Sequence, residues 1–413
     1  MNEESKCVER VIGFDAHPDS FTAAILRGLT PATAVVEKIF NKVPLAQLTR
    51  WAQKHTTARD LIVLEASGNS FQVVRTLAAS QRPAKVLESC QMGKLKEAHA
   101  NNDKLSAVRI GKAYLAGTAK EVWVPDLKTQ EWRDWFYAYS KATKRTTQMQ
   151  ARLRSYLSDN GVRLKPGTCL TKVEEVQRTL RAARPWSARQ WQVIEILLAE
   201  LRHAHQQRQH WHHLIAQEVL AEPELLSFVR LCGVREIVAF ALGAFVGDIR
   251  RFAHPKKLVK YVGLNPAFDD SGESEWHGGI GGHGHKLLRS LLIEGAHAIL
   301  RGGKTPLARW GKKLLAVKGS VSLAVAAIAR KLTVAAWYLM MGHWTSLEEI
   351  DQRLQGKVSK MIGAVGLQGL QSLGKTRKAY RQEIYQRLKT GRVYVLNPNK
   401  KYAALPQLSA LPA

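Results

Sequence analysis

Hydrophobic residues recur along the chain at two different spacings, which predict two kinds of structure. In residues 8–125 they form short runs of strand length, separated by segments with helical spacing. The runs lie at residues 8–15, 21–26, 34–40, 60–65 and 84–87. Between its terminal acids the run at 60–65 is continuously apolar, as expected for a strand buried on both faces. A leading hairpin followed by alternating strands and helices predicts a mixed α/β sheet with helices packed on it.

The rest of the chain has helical spacing. Residues 126–222 are polar and almost free of glycine, and their apolar positions predict long helices that pack as a coiled-coil oligomerisation region. Residues 223–392 predict a helical domain with a glycine-rich interruption at 263–284, and residues 393–413 a loosely ordered tail. The predicted fold class is therefore α/β plus all-α, with an N-terminal α/β domain at 8–125.

The charge balance indicates what kind of partner these domains bind. The 413 residues include 62 Lys+Arg against 34 Asp+Glu, which gives a formal net charge of +28. Such an excess favours a polyanion, and nucleic acid is the first candidate. An anionic membrane is the second, but the most apolar stretch, residues 321–341, is interrupted by Arg330 and Lys331. Scattered cysteines and a polar N-terminus predict a cytoplasmic protein with no membrane partner.

Three acids lie at the ends of predicted elements. Asp15 and Glu65 each close a predicted strand, and Asp103 begins a predicted helix. Each acid alone could be a turn former or a helix cap. Glu65 favours a site, because a carboxylate that ends a buried strand needs a partner or a metal ion. If the element ends converge, the carboxylates can hold Mg²⁺ or Mn²⁺, which assist the cleavage of phosphodiesters.

The segments around these acids resemble the signature blocks of a known family. They read Val11-Ile-Gly-Phe-Asp15-Ala-His17, Leu64-Glu65-Ala-Ser-Gly68 and Asn102-Asp103-Lys-Leu-Ser106-Ala107. In this order they resemble the DEDD transposases of bacterial insertion sequences, the recombinases guided by a bridge RNA or seeker RNA. The C-terminal transposase domain of that family is similar to a downstream set of blocks, Tyr261-Val-Gly-Leu-Asn-Pro266, Ser271-Gly272 and Gly284-His-Lys-Leu-Leu-Arg289.

The resemblance implies a fold and an activity. It implies a RuvC-like N-terminal domain of ribonuclease H type, which binds metal through Asp15, Glu65 and Asp103. It also implies a C-terminal domain in which Ser271 is the nucleophile that joins protein to DNA, with Ser274 as the fallback. The expected partners are the DNA of the element ends and the target, a structured guide RNA that selects sites by base pairing, and further copies of the chain in a dimer or tetramer.

The third block departs from the family pattern at one position. The family carries a second aspartate three residues after the first, where this chain has Ser106. Positions i and i+3 share a helix face, so Ser106 is still expected to point towards the metal. A hydroxyl is a weaker ligand than a carboxylate, which predicts a site of lower charge. Glu88, just after the run at 84–87, is an alternative source of that charge.

A second group of residues predicts contacts to phosphate. Gly284, His285 and Lys286 stand between a glycine-rich segment and a predicted helix, whose N-terminal N–H groups can bind an anion. Arg289, one turn into that helix, is the strongest candidate for a phosphate clamp. The glycine-rich segment could equally be a plain loop. Histidines clustered at residues 203–213 could bind zinc, but a polar helix face is the better interpretation.

Three functions are consistent with this pattern. The favoured one is an RNA-guided DNA transposase that uses both the acids and Ser271. A hydrolytic nuclease of the Holliday-junction-resolvase type would use the acids alone, and Ser271→Ala would leave its cleavage intact. A non-enzymatic nucleic-acid-binding relative, weakened by Ser106, would lack metal-dependent strand exchange.

Overall fold

The structure is a computed structural model that describes residues 9–89, 102–271, 274–280, 283–302, 304–343 and 351–390. Only the backbone is described at residues 267–271, 274–278, 351–352 and 390. The chain forms two compact units, Met1–Asp126 and Leu127–Ala413. A mixed sheet with helices forms the first and helices dominate the second, so the predicted class of α/β plus all-α is confirmed. The predicted tail, residues 393–413, lies outside the described residues, and the limits at 222 and 392 stay predictions.

Within the described residues, the first unit is built on a six-stranded sheet. Its strands are β1 (Val11–Ala16), β2 (Ser20–Arg27), β3 (Val35–Pro44), β4 (Leu61–Glu65), β5 (Ala84–Leu87) and β6 (Glu121–Val122). Its helices are α1 (Leu48–His55), α2 (Ser70–Ala79) and α3 (Asp103–Leu115), with a 3₁₀ turn at Leu45–Gln47. The strand order is β3-β2-β1-β4-β5-β6. β1, β4 and β5 are mutually parallel, and the β1–β2, β2–β3 and β5–β6 pairs are antiparallel.

The central strands β1 and β4 are buried on both faces, as the apolar sequence of β4 predicts. Alternate side chains of a strand point to opposite faces. One face packs against α1 and α2 through Ile12, Phe14, Ile62 and Leu64. The other face packs against α3 through Val11, Leu61 and Val63. Asp15 and Glu65 continue this second series, so they lie on the face that α3 covers.

The described part of the second unit consists of helices and one β-hairpin. The first helices are α4 (Leu127–Asp159), α5 (Val173–Ala183), α6 (Ala188–Ala221), α7 (Pro223–Phe228), α8 (Glu236–Val246) and α9 (Pro255–Val262), with a 3₁₀ turn at Ile249–Arg251. The hairpin follows as β7 (Pro266–Ser271) and β8 (Ser274–Ile280). The last helices are α10 (Lys286–Gly302), α11 (Pro306–Lys318), α12 (Val321–Met340), α13 (Asp351–Ser372) and α14 (Arg377–Thr390).

The two longest helices, α4 and α6, pack side by side in opposite directions. Near one end Trp132 donates its indole N–H to Glu218 (2.8 Å), and farther along Thr146 donates to the Ala204 carbonyl oxygen (3.1 Å). At the other end, α5 joins them around an apolar cluster that includes Leu157. The long helices expected in this region are therefore present as an antiparallel pair within one chain. Their role in oligomerisation stays a prediction.

Helix α12 is the most apolar long helix that the structure describes. By length and composition alone it could cross a membrane, and it is the one helix in the described residues that meets that test. Half of its most apolar stretch is buried inside the protein, where residues such as Ile328, Leu332 and Ala336 join the main core. A core helix of a globular unit meets the same test, so these properties do not by themselves indicate a membrane span.

The segment after α9 differs from the interruption that the sequence predicts, because it contains the antiparallel hairpin of β7 and β8. Asp269 pairs with Trp276, and Ser271 pairs with Ser274 beside the tip. Aromatic residues such as Trp276 favour strands, whereas most of the glycines in this segment follow at 278–284. The strands reach residue 280, and two of these glycines, Gly278 and Gly279, lie within β8, so the glycines conceal the strand pattern in the sequence.

Candidate functional site

Asp15 and Glu65 lie at equivalent positions on two neighbouring parallel strands. Phe14 of β1 pairs with Leu64 of β4, so the next residue on each strand is an acid. Neighbouring strands lie about 4.8 Å apart, and both acids lie on the face that α3 covers. The parallel register thus places two carboxylates at the carboxyl edge of the sheet.

Helix α3 crosses β1 with its backbone in direct contact with the strand. A Cβ atom on Gly13 would lie 1.8 Å from the Ala107 carbonyl oxygen and 2.7 Å from the Gly111 nitrogen. Gly13 precedes Asp15 by two residues on the same face of β1. Ala107 follows Asp103 by about one helical turn. The crossing therefore brings the first turn of α3 to the end of β1, where Asp15 lies.

The start of α3 is capped by Asn102 rather than by Asp103. The Asn102 side chain accepts a hydrogen bond from the Leu105 N–H (2.9 Å), which makes it the N-cap. The interpretation of Asp103 as a helix cap is therefore wrong. Asp103 is the first helical residue instead, where the positive end of the helix dipole favours its negative charge.

Asp15 and Asp103 converge with a third residue, His17, which follows β1. One ligand atom from each lies within 4.8 Å of the other two, so the group is a possible acidic metal site. His17 Nε2 is 3.8 Å from Asp15 Oδ2 and 3.6 Å from Asp103 Oδ1. Among the described residues, neither Glu65 nor Glu88 belongs to this closely spaced group. Sequence reasoning missed His17, although it lies two residues after Asp15 in the first quoted block.

The distances in this group fit a shared cation better than direct hydrogen bonds. An N–H···O hydrogen bond is about 2.7–3.2 Å long. Ligand atoms lie about 2.0–2.2 Å from a small divalent ion, so two ligands of one ion are at most about 4.4 Å apart. The separations of 3.6 and 3.8 Å fall between these limits. The donor set, with two carboxylates and an imidazole, therefore fits a divalent metal ion.

Ser106 and Glu65 flank the group on two different elements. Ser106 is half-buried on α3, three residues after Asp103, and its N–H donates to the Asn102 carbonyl oxygen (2.9 Å). Glu65 is half-buried at the end of β4. The loop after Glu65 reaches His17, because the Asn69 side chain donates to the His17 carbonyl oxygen (2.8 Å).

In the second unit, the two ends of the β7–β8 hairpin are held together by a close glycine contact. Gly263 and Gly284 both have left-handed backbone, with φ of +82° and +98°, and a Cβ atom on Gly284 would lie 2.6 Å from Gly263 Cα. Arg289 donates from Nη1 to the carbonyl oxygens of His283 (2.7 Å) and Gly263 (3.4 Å). These contacts hold together the base of the hairpin whose first strand, β7, ends on Ser271. A phosphate contact of Arg289 stays a prediction.

His285 is the residue directly before α10, and its ring accepts a hydrogen bond from the first turn of that helix. Its Nδ1 accepts a hydrogen bond from the Leu288 N–H (3.2 Å), and its ring packs 4.2 Å from the ring of Phe245. Burial, together with the positive charge of Arg133, lowers the pKa of His285 to about 4. The ring is therefore neutral at pH 7, and the exposed Lys286 beside it carries the positive charge. Their predicted phosphate contacts stay predictions.

Two of the clustered histidines of α6 have partners on other helices. His212 Nε2 lies 2.9 Å from the carboxylate of Glu236, which is also 2.7 Å from Arg235, and His213 Nδ1 lies 3.1 Å from the Ala364 carbonyl oxygen. Burial acts to raise the pKa of Glu236, but His212 and Arg235 outweigh it and lower the pKa. In the part of the chain that the structure describes, these histidines join no closely spaced group of metal ligands.

Comparisons with known proteins agree on one class. Residues 228–309 match the model of the family described as Transposase IS116/IS110/IS902. The chain is 26% identical over 309 residues to the transposase for insertion sequence element IS1111A of Coxiella burnetii, which covers 73% of this chain and 84% of that protein. It is also 31% identical over 149 residues to a probable family 20 transposase of Pseudomonas aeruginosa, which covers 35% of this chain and 42% of that protein.

These matches define the chain as an insertion-sequence transposase. The family match begins at the end of α7 and reaches into α11. It therefore includes the β7–β8 hairpin and the residues Gly263, Gly284 and Arg289 at its base. Within this class, residues 228–309 are similar to the IS116/IS110/IS902 family of transposases, which agrees with the resemblance of the sequence blocks to insertion-sequence transposases.

Proposed function

We propose that this transposase cuts and rejoins DNA with a metal site in a RuvC-like first unit. The observation that carries the proposal is the convergence of Asp15 and Asp103 on one face of the sheet, with Glu65 in register beside Asp15. The strand order supports the ribonuclease H type, because an antiparallel meander leads into parallel strands with helices on both faces. Carboxylates suit Mg²⁺ or Mn²⁺, and such an ion supplies Lewis acidity at a phosphodiester.

The covalent step is assigned to Ser271 of the second unit. Its Oγ forms a bond to the phosphorus of DNA, its proton passes to a base, and the leaving DNA oxygen takes up a proton to become a hydroxyl. The phosphoserine keeps the energy of the broken ester for rejoining. Ser271 stands at the end of β7, opposite Ser274, which suits a nucleophile presented at a hairpin tip.

The start of α10 is assigned to binding a DNA phosphate. Lys286 is exposed there, and the helix N-terminus presents N–H groups that favour an anion. Arg289 adds a second positive charge one turn later, while Gly284 and His285 shape the backbone that leads into the helix. The residues that would bind this phosphate lie close in sequence to the hairpin that carries Ser271.

The partners follow from the charge and the family. A net charge of +28 supports binding of the element ends and target as DNA, and of a structured guide RNA that selects them. The proposal includes assembly into a dimer or tetramer and action in the bacterial cytoplasm, at the nucleoid.

The test uses the full-length chain, element-end and target DNA, and RNA transcribed from the DNA that flanks its gene. We expect Mg²⁺-dependent strand exchange and a covalent protein–DNA adduct on denaturing gels. Asp15→Asn and Asp103→Asn should abolish exchange, whereas Asp19→Asn, an exposed acid between β1 and β2, should not. Ser271→Ala should abolish the adduct, whereas Ser274→Ala should keep it. An adduct that survives Ser271→Ala would refute the assigned nucleophile.

A hydrolytic nuclease of the Holliday-junction-resolvase type is the second candidate. It is favoured by one observation, which is that the group of Asp15, His17 and Asp103 lies wholly within the first unit. This function predicts metal-dependent DNA cleavage that is equal in the wild-type chain and in Ser271→Ala, with no adduct in either. Binding of DNA without any metal-dependent cleavage would instead indicate a non-enzymatic relative.

A further inference from the structure

His17 brings a nitrogen atom to a site that otherwise offers oxygen ligands. We propose that His17 is a direct ligand of the ion held by Asp15 and Asp103, and that it makes the site prefer Mn²⁺ to Mg²⁺. This inference rests on the metal site of the proposed function. It adds a third ligand to that site and a preference between two metals, and the acids alone determine neither.

The first step of the argument is the direction of the imidazole. About 43% of the His17 side chain is exposed, yet its Nε2 atom is buried and has no hydrogen-bond partner within the described residues. This atom faces a carboxylate oxygen of Asp15 and one of Asp103, at 3.8 and 3.6 Å. A protonated imidazole that paired with either acid would donate a charge-assisted hydrogen bond of about 2.7–2.9 Å. The longer spacing leaves room for an ion between the three atoms.

The second step is that the backbone of His17 is held in place. Its N–H donates to the Ser20 carbonyl oxygen (2.9 Å), which closes the connection between β1 and β2. Its carbonyl oxygen accepts from the Asn69 side chain (2.8 Å), and Asn69 Oδ1 accepts from the Ser67 hydroxyl (3.1 Å). A ligand held in this way loses little conformational freedom when the ion binds, which favours affinity.

The third step is the chemistry of the donor set. Mg²⁺ binds oxygen ligands and keeps several waters, whereas imidazole nitrogen is a good ligand for transition metals. Mn²⁺ accepts carboxylates as readily as Mg²⁺ does, and it lies in the transition-metal series. The neutral hydroxyl of Ser106 adds no charge that would draw Mg²⁺ in. A site in which an imidazole joins the carboxylates should therefore select Mn²⁺.

Pulsed electron paramagnetic resonance of Mn²⁺ bound to the full-length chain tests the inference without reference to activity. A histidine nitrogen bound to Mn²⁺ gives a ¹⁴N coupling in the spin-echo modulation. We expect this coupling in the wild-type chain and its loss in His17→Gln. The matched control is His203→Gln, an exposed histidine of α6, which should keep the coupling.

Titrations of the same proteins with Mn²⁺ and Mg²⁺ supply the second readout. His17→Gln should lower the Mn²⁺ affinity by at least about tenfold, the least effect expected when even an outer partner of a ligand is lost, and should lower the Mg²⁺ affinity less. Bound Mn²⁺ without nitrogen coupling, or an unchanged affinity in His17→Gln, would overturn the role of His17 and leave the metal site intact. Equal Mn²⁺ binding by the wild-type chain and Asp15→Asn would overturn the metal site itself.

Discussion

Replacement of Gly13 by alanine should separate α3 from β1 and disable the acid site without touching an acid. The new Cβ atom would lie 1.8 Å from the Ala107 carbonyl oxygen, against an ordinary contact of 3.4 Å or more. The helix must therefore retreat by about 1.6 Å, because the obstacle is helix backbone and cannot rotate away. Asp103 is on the same helix, so it moves away from Asp15.

The magnitude of this effect follows from the size of the displacement. Overpacking of a tight contact costs about 1–3 kcal/mol, and we expect the upper end here because no side chain can yield. A functional site tolerates displacements of about 0.5 Å, so a shift of about 1.6 Å should remove most of the Mn²⁺ affinity. Stability and metal binding should therefore fall together in Gly13→Ala.

Two other glycines of the first unit provide graded controls. A Cβ atom on Gly111 would meet the Leu26 Cδ1 atom at 2.6 Å, which is a flexible side-chain end, and the Gly13 nitrogen at 3.4 Å. A Cβ atom on Gly68 would meet nothing within 4 Å. We expect the largest loss of stability and Mn²⁺ affinity in Gly13→Ala and a smaller loss in Gly111→Ala. Gly68→Ala should be close to the wild-type chain in both.

The assay has two parts. Hydrogen exchange of the β1 amides monitors unfolding in urea, and a Mn²⁺ titration measures metal affinity. Exchange of these amides reports on the first unit alone, which matters because a chain of two units need not unfold in one step. Gly13→Ala and Gly68→Ala with equal stability and equal Mn²⁺ affinity would refute the reasoning. A loss of stability without loss of metal affinity would refute its second half, the coupling of α3 to the site.

Substitutions elsewhere test other contacts. Ser106→Asp adds a carboxylate beside Asp103 and should raise the Mg²⁺ and Mn²⁺ affinities in titrations, whereas an unchanged affinity would mean that this position faces away from the ion. Glu236→Gln should lower the free energy of unfolding by about 1–2 kcal/mol at pH 7, because it removes the charge from a buried carboxylate that is hydrogen-bonded to the partly exposed Arg235 and His212. The pKa of Glu236 is lowered on folding, so its stabilisation is complete above the usual value of 4.5 and is lost as the pH falls through the lower folded value. Urea unfolding at pH 7 and pH 3 should therefore show a smaller difference at pH 3. Ser187→Ala removes the capping box at the start of α6 and should cost about 1 kcal/mol in thermal unfolding, where an unaltered midpoint would contradict that cap.

The two acids at the strand ends could be predicted, because the spacing of hydrophobic residues can be read from a short stretch of sequence. Val11 to Phe14 and Leu61 to Leu64 are apolar in sequence and buried in the fold, so Asp15 and Glu65 were expected at the edge of the sheet. The role of Asp103 was ambiguous between ligand and cap. Only the hydrogen bond from the Leu105 N–H to Asn102 separates the two roles.

Other parts of the site depend on contacts between distant residues, which no local pattern contains. His17 points to Asp103 only because α3 lies against β1, and that packing depends on Gly13 and its lack of a Cβ atom. His212 and Glu236 are 24 residues apart and pair across two helices. The histidine-rich face of α6 therefore looked like a solvent-exposed surface in the sequence, although one of its members lies within hydrogen-bond distance of a buried acid.

The order of synthesis gives the crossing of α3 over β1 a further meaning. Asp15 leaves the ribosome early, but its partner Asp103 lies on a helix that folds back onto the first strand of the sheet. A nascent chain that ends before α3 therefore holds separate acids and no assembled ion site. Ser271 is made later still. Premature termination before α3 should consequently give fragments that lack the assembled site and also most of the positive charge, because residues 1–102 hold 13 Lys+Arg against 10 Asp+Glu.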